Sequence, residues 1–107
     1  MARTLIHIPP QVRRGEVFEV RTTIAHPMET GYRVNDSGQI APRNIIRRLS
    51  CQLDGKTVFS AELHPAIAAN PYVAFFVRAE ASGTLTFRWE GDHGFAQTQT
   101  VALNVVA

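Results

Sequence analysis

The sequence predicts an all-β protein, an immunoglobulin-like antiparallel sandwich of about seven strands, and three observations carry that expectation. Apolar and polar residues alternate with period two along most of the chain, helical spacing is scarce, and an Asp-Gly pair separates two alternating runs. With 107 residues the chain fits one domain, residues 1–107, large enough to build a core without disulfide or metal support.

Taken in order, Leu5 to Ile8 forms a short first strand. In the second, Phe18, Val20 and Ile24 alternate with Glu19, Arg21 and Thr23, and Thr22 shares the inward side. Leu49, Cys51 and Leu53 face inward on the third. Asp54-Gly55 then reverses the chain, because both central residues of a two-residue hairpin take positive φ. Phe59, Ala61 and Leu63 mark the returning strand, and Val73, Phe75, Val77 and Ala79 the fifth. Ser82-Gly83 supplies the turn into Thr84–Glu90, where Leu85, Phe87 and Trp89 point one way and Thr84, Thr86, Arg88 and Glu90 the other. After the turn-rich Gly91-Asp92-His93-Gly94, Phe95 to Val105 closes the set. Two segments break the alternation, His26 to Pro42 and His64 to Pro71, and each opens on His-Pro. Long polar connections in a small domain tend to carry function, so these loops are the expected working parts.

Composition narrows the partners. The formal charge is only +2, and the paired arginines, Arg13-Arg14 and Arg47-Arg48, read as solvated surface rather than a phosphate track, so no nucleic-acid partner is expected. No apolar run reaches the length of a membrane span, so no membrane is implied. Pro9-Pro10 interrupts the first residues before a signal-peptide core develops. A lone cysteine, Cys51, forbids an intrachain disulfide.

Catalytic constellations are hard to assemble. Four histidines (His7, His26, His64 and His93), Cys51 and two methionines raise the question of a metal. Blue-copper order fails, because Cys51 sits mid-chain and no methionine follows His64. The ligand count, four His and one Cys, matches the mononuclear iron site of superoxide reductases, which are also immunoglobulin-like. That gives an alternative, an iron enzyme, but Cys51 falls on the inward side of a strand, where a thiol acts as a small hydrophobe. No cofactor is expected. No nucleophile elbow or glycine-rich phosphate cradle is present. Asp36, Asp54 and Asp92 fall in turns, where aspartate bonds its own backbone. His7 reads as a strand-edge residue and His93 as part of a hairpin tip. His26 and His64, each before a proline at a strand exit, either pin the loops or touch a partner, and the sequence leaves both open.

The strings His26-Pro27-Met28-Glu29-Thr30-Gly31, Pro42-Arg43-Asn44-Ile45-Ile46 and His64-Pro65-Ala66-Ile67-Ala68-Ala69-Asn70-Pro71-Tyr72 closely resemble the SoxZ family. Gly55-Lys56, Val58-Phe59-Ser60-Ala61, Phe75-Phe76 and Ser82-Gly83-Thr84 extend the resemblance over nearly the whole chain. It implies a non-catalytic subunit of the SoxYZ carrier complex of bacterial thiosulfate oxidation. In that complex the SoxY subunit carries sulfur intermediates on a cysteine in a glycine-rich C-terminal arm. This chain ends Leu103-Asn104-Val105-Val106-Ala107 without such an arm, which implies the partner subunit. The resemblance further implies a heterodimer or higher complex with a SoxY-like chain, indirect contact with other Sox enzymes, and a periplasmic location reached by co-export with a signal-bearing partner. A homodimer of the isolated chain is a further expectation. The expected partner-binding residues are His26, Pro27, Met28, Glu29, Arg43, His64, Pro65, Asn70 and Pro71, with Arg43 placed to attract an anionic sulfur adduct.

Overall fold

The computed structural model describes residues 2–65 and 67–107; Met1 and Ala66, the latter within the His64–Pro71 segment, lie outside the described residues. Among the described residues, nine strands run in the order β1 (Thr4–His7), β2 (Val12–Arg13), β3 (Val17–Ile24), β4 (Ile46–Leu53), β5 (Lys56–Glu62), β6 (Tyr72–Arg78), β7 (Gly83–Gly91), β8 (Ala96–Leu103) and β9 (Val105–Val106). A short 3₁₀ turn, Asp92–Gly94, stands between β7 and β8. The seven longer strands match the alternating runs of the sequence, and they form two antiparallel sheets, β1-β3-β6 and β5-β4-β7-β8. The fold is therefore the expected all-β sandwich, with one addition. Val12–Arg13 pairs in parallel with Val105–Val106.

That addition has a local cause. The Ser82 hydroxyl accepts from the Val105 amide at 2.8 Å and donates to the Val105 carbonyl at 3.1 Å. Capture of both backbone groups draws the chain off the β7 ladder after Leu103 and delivers Val105 to β2, so the last predicted strand is split in two.

The inward faces meet in one core. Val20, Ile24, Leu49, Cys51, Leu85, Phe87 and Trp89 are fully or almost fully buried. The Phe59 ring of β5 stacks on Phe75 of β6 at 3.9 Å, tying one sheet to the other, and Phe87 stacks on Trp89 at 6.3 Å. Aromatic pairs of this kind contribute ~1 kcal/mol beyond the area they bury. Thr22, a polar residue on an inward face, donates its hydroxyl to the Val73 carbonyl at 2.9 Å, which satisfies it between strands. The Asp54-Gly55 hairpin forms as predicted, with φ of 47° and 87°.

Chain direction sorts the connections. β3 ends, β6 begins, β4 begins and β7 ends at the same end of the sandwich. Both irregular segments and the 3₁₀ turn therefore gather at one pole, while the short Asp54-Gly55 and Ser82-Gly83 turns occupy the other.

Candidate functional site

Asp92 organises the pole. Its carboxylate accepts from Arg43 Nε and Nη2, each at 2.8 Å, and from the Ile45 amide at 3.1 Å, with Arg47 Nε a further 3.4 Å away. The Arg43 fork, with the Ile45 amide and Arg47 beside it, holds the Asp92 carboxyl below the usual range despite partial desolvation. Sequence reading placed Asp92 in a turn bonding its own backbone; its partners instead lie 45 to 49 residues away, because the 3₁₀ turn folds back onto the segment entering β4. His93 belongs to the same clamp and is not a free tip: its Nε2 donates to the Arg43 carbonyl at 2.8 Å. Gly91 allows the close approach. A Cβ there would stand 2.5 Å from the Ile45 carbonyl oxygen.

The arginine pair Arg47-Arg48 is more than solvated surface. The ladder between β4 and β7 passes from Ile46–Gly91 to Arg48–Glu90, which leaves Arg47 as the extra residue of a β-bulge. A bulge re-aims side chains. Here Ile46 and Leu49 both stay buried while Arg47 and Arg48 both face out. Together with Arg43, Ile45, Glu62, Leu63, His64 and Pro65 they line an open groove of about 400 Å³.

The two loops are laced to each other. The His26 amide donates to Asn70 Oδ1 at 2.9 Å, and the Asn70 amide donates to the His26 carbonyl at 2.7 Å. Asn70 takes the left-handed conformation that this return requires, φ 53°. His26 is only 6% exposed and packs edge-on against Phe95 at 5.2 Å. Its Nδ1 accepts from the Met28 amide at 3.0 Å, and burial pushes its pKa below the ordinary value, partly offset by Asp92. Met28 is 4% exposed, and its Sδ accepts from the Ile46 amide at 3.2 Å.

These positions sort the nine expected partner residues. His26, Met28 and Pro71 are buried and pack the loops from within. Within the chain His26 takes the pinning role, through its bond from the Met28 amide. Pro27, Arg43, His64 and Asn70 are exposed, and Glu29 and Pro65 half-buried. Glu29 is bonded to Arg33, which holds its carboxyl low, and its backbone pairs with Asn44. Arg43, His64 and Pro65 share the groove, whereas Pro27, Glu29 and Asn70 lie outside it.

A second feature escaped the sequence reading. On the outer face of β1-β3-β6, Leu5, Val17, Tyr72 and Phe76 are all more than half exposed, with Leu5 at 71%. Leu5, Thr23 and Tyr72 form one cross-strand row, and Ala74 lies between Tyr72 and Phe76 along β6. The signal was present: Tyr72 and Phe76 are apolar residues out of phase with Phe75 and Val77.

An iron site of the superoxide reductase kind needs imidazoles and a thiolate converging on one point. Cys51 is fully buried in mid-β4, and burial pushes its thiol up to about 12. His7 lies on the edge strand β1, His26 Nδ1 and His93 Nε2 are engaged with backbone, and among the described residues no group of three or more His, Cys, Asp or Glu side chains gathers. The residues present do not fit that group.

In structure, the chain is similar to the superoxide reductase (neelaredoxin) from Ignicoccus hospitalis, with a TM-score of 0.71, 18% identity, and 98% of this chain and 82% of that one covered. A variant of the superoxide reductase (neelaredoxin) from Archaeoglobus fulgidus gives a TM-score of 0.60 at 21% identity, covering 94% of this chain and 88% of that one. At such identities the likeness is one of fold. No curated protein sequence matches the chain. The family model for the sulphur oxidation protein SoxZ matches residues 6–102. This chain therefore belongs to the SoxZ family.

Proposed function

We propose that this chain is the non-catalytic subunit of a SoxYZ sulfur-carrier complex and that it docks its SoxY-like partner on the outer face of the three-stranded sheet. The supporting observation is the placement of exposed apolar side chains. Of the large exposed apolar side chains, Leu5, Val17, Tyr72 and Phe76 lie on that one face, Tyr32, Val34, Ile40 and Ile67 lie on the irregular segments, and among the described residues none lies on the outer face of the other sheet. Exposed aromatic residues on one sheet face are what a protein interface uses as anchors. Leu5 and Tyr72 sit on the two edge strands, so a partner covering this face would span the sheet. The pole loops, pinned by His26, Met28 and Asp92, form a rigid rim past which the partner's cysteine arm would move. In this reading Pro27, Glu29 and Asn70 lie on the rim, and the sulfur chemistry belongs to the partner's cysteine. Location in the periplasm is part of the same proposal.

Mixing the chain with a SoxY-like protein and measuring the mass of the product tests the reading. A complex holding both chains is expected. Two unmixed species, or only a homodimer of this chain, would count against it.

A further inference from the structure

We propose that the groove between Arg43, Arg47, Arg48 and His64 is a binding site for a small oxyanion, such as a sulfate or carboxylate group. Three guanidinium groups and one imidazole line it against a single lining carboxylate, Glu62. The Asp92 carboxylate lies beneath the cations rather than beside them. Its side chain is 13% exposed, while those of Arg43 and Arg47 are 50% and 58% exposed. An approaching anion meets the outward N–H groups of two guanidiniums whose inner edges are already fixed.

The fixing is extensive for two surface residues. Asp92 grips the Arg43 fork, Arg47 Nη2 reaches the Gly91 carbonyl at 3.4 Å, and His93 holds the Arg43 backbone. Gly31, at φ +90°, packs against the Arg43 stem, where a Cβ would stand 3.0 Å from the Arg43 Cβ. The bulge turns Arg47 and Arg48 to the same side. Guanidinium groups held in a set orientation recognise oxyanions through paired N–H donors and lose little freedom on binding. Arg48 sits in register between Glu62 and Glu90, and Glu90 is 3.5 Å from Arg88, so Glu62 is the carboxylate that opposes an incoming anion. Ile45, Leu63 and Pro65 complete the groove with apolar surface, which suits an anion borne on an uncharged stem.

Two sources present this chemistry, a free oxyanion in solution or one carried on the partner's cysteine; the second rests on the proposed function. The test has an arm for each. In the first, the chain is titrated with sodium sulfate against sodium chloride of equal ionic strength, and the arginine Nε–H resonances are followed by NMR. Saturable shifts at Arg43 and Arg47 are expected. Arg47→Gln should weaken them about tenfold, the loss expected for a charged hydrogen bond. Glu62→Gln should strengthen them, a gain that a damaged fold cannot produce. In the second arm, the SoxY-like partner's cysteine is capped with iodoacetate, leaving a carboxylate, or with iodoacetamide, leaving a neutral amide. The carboxylate-capped partner should bind tighter, and Arg47→Gln should erase the difference. Either arm behaving so upholds the site and identifies its source. No sulfate shifts together with equal affinity for both caps would overturn it. If neither capped partner binds, the carrier reading fails, and the sulfate arm alone decides the groove.

Discussion

The two outward faces of the sandwich are built from the same kind of strand yet present opposite surfaces. Across β4, β7 and β8 the outer rows read Ser50, Arg88, Thr98 and Gln52, Thr86, Thr100, side chains that water satisfies. Across β1, β3 and β6 the rows bring Leu5 beside Thr23 and Tyr72, and Phe76 beside Glu19. A sheet with one dry and one wet face needs no partner; one that leaves Leu5, Tyr72 and Phe76 in water among Glu19, Arg21 and Thr23 has apolar surface to cover. The difference underlies the two proposals, docking on the three-stranded sheet and, beside the pole of the four-stranded sheet, anion binding in a charged groove.

The comparison breaks most sharply at Cys51, which stands on the dry side of the four-stranded sheet. Cys51 is fully buried and burial pushes its thiol up to about 12, so the native chain should react with a disulfide reagent at least ~100-fold more slowly than the unfolded chain near neutral pH. Fast native labelling would mean that this sheet is not sealed. Next, Tyr72→Glu with Phe76→Glu should weaken SoxY-like partner binding at least ~100-fold, as loss of two interface anchors does. Thr98→Glu with Thr100→Glu on the other face should leave calorimetric affinity nearly unchanged, and equal losses from both pairs would erase the distinction between faces.

Gly91→Ala probes what the groove depends on. Backbone lies in the way of the new methyl, so the bulge and the Asp92 clamp must shift, at ~1–3 kcal/mol of stability in denaturant melts. The smallest effect concerns acid. Burial keeps the folded-state pKa of His26 below its ordinary 6.5, so the unfolded chain binds the proton first and stability is lost as pH falls below that value. His26→Asn retains an acceptor for the Met28 amide but cannot titrate, so its melting temperature should fall less steeply with acid than the wild-type one.

The sequence made the strands legible because alternation is local: Leu85, Phe87 and Trp89 declare an inward face without reference to anything else. What it hid was relational. The bulge at Arg47 exists only against β7, and Asp92 finds Arg43 only after the pole closes. Burial of His26 and Met28 depends on Phe95 and Ile46 arriving from distant segments. His26 and Met28 therefore read as part of an exposed recognition string while serving as the inner clasp of the loop. Tyr72 and Phe76 were readable as out-of-phase apolar residues, but alternation arguments look for what faces in, and these face out.

Hydrogen–deuterium exchange of the chain, alone and mixed with a SoxY-like partner, tests the docking face most directly. The account predicts new protection of amides in Thr4–His7 and Tyr72–Arg78, with the Lys56–Glu62 and Ala96–Leu103 edges of the other sheet unchanged. Protection confined to Lys56–Glu62 or Ala96–Leu103, with Tyr72–Arg78 exchanging as in the free chain, would contradict it.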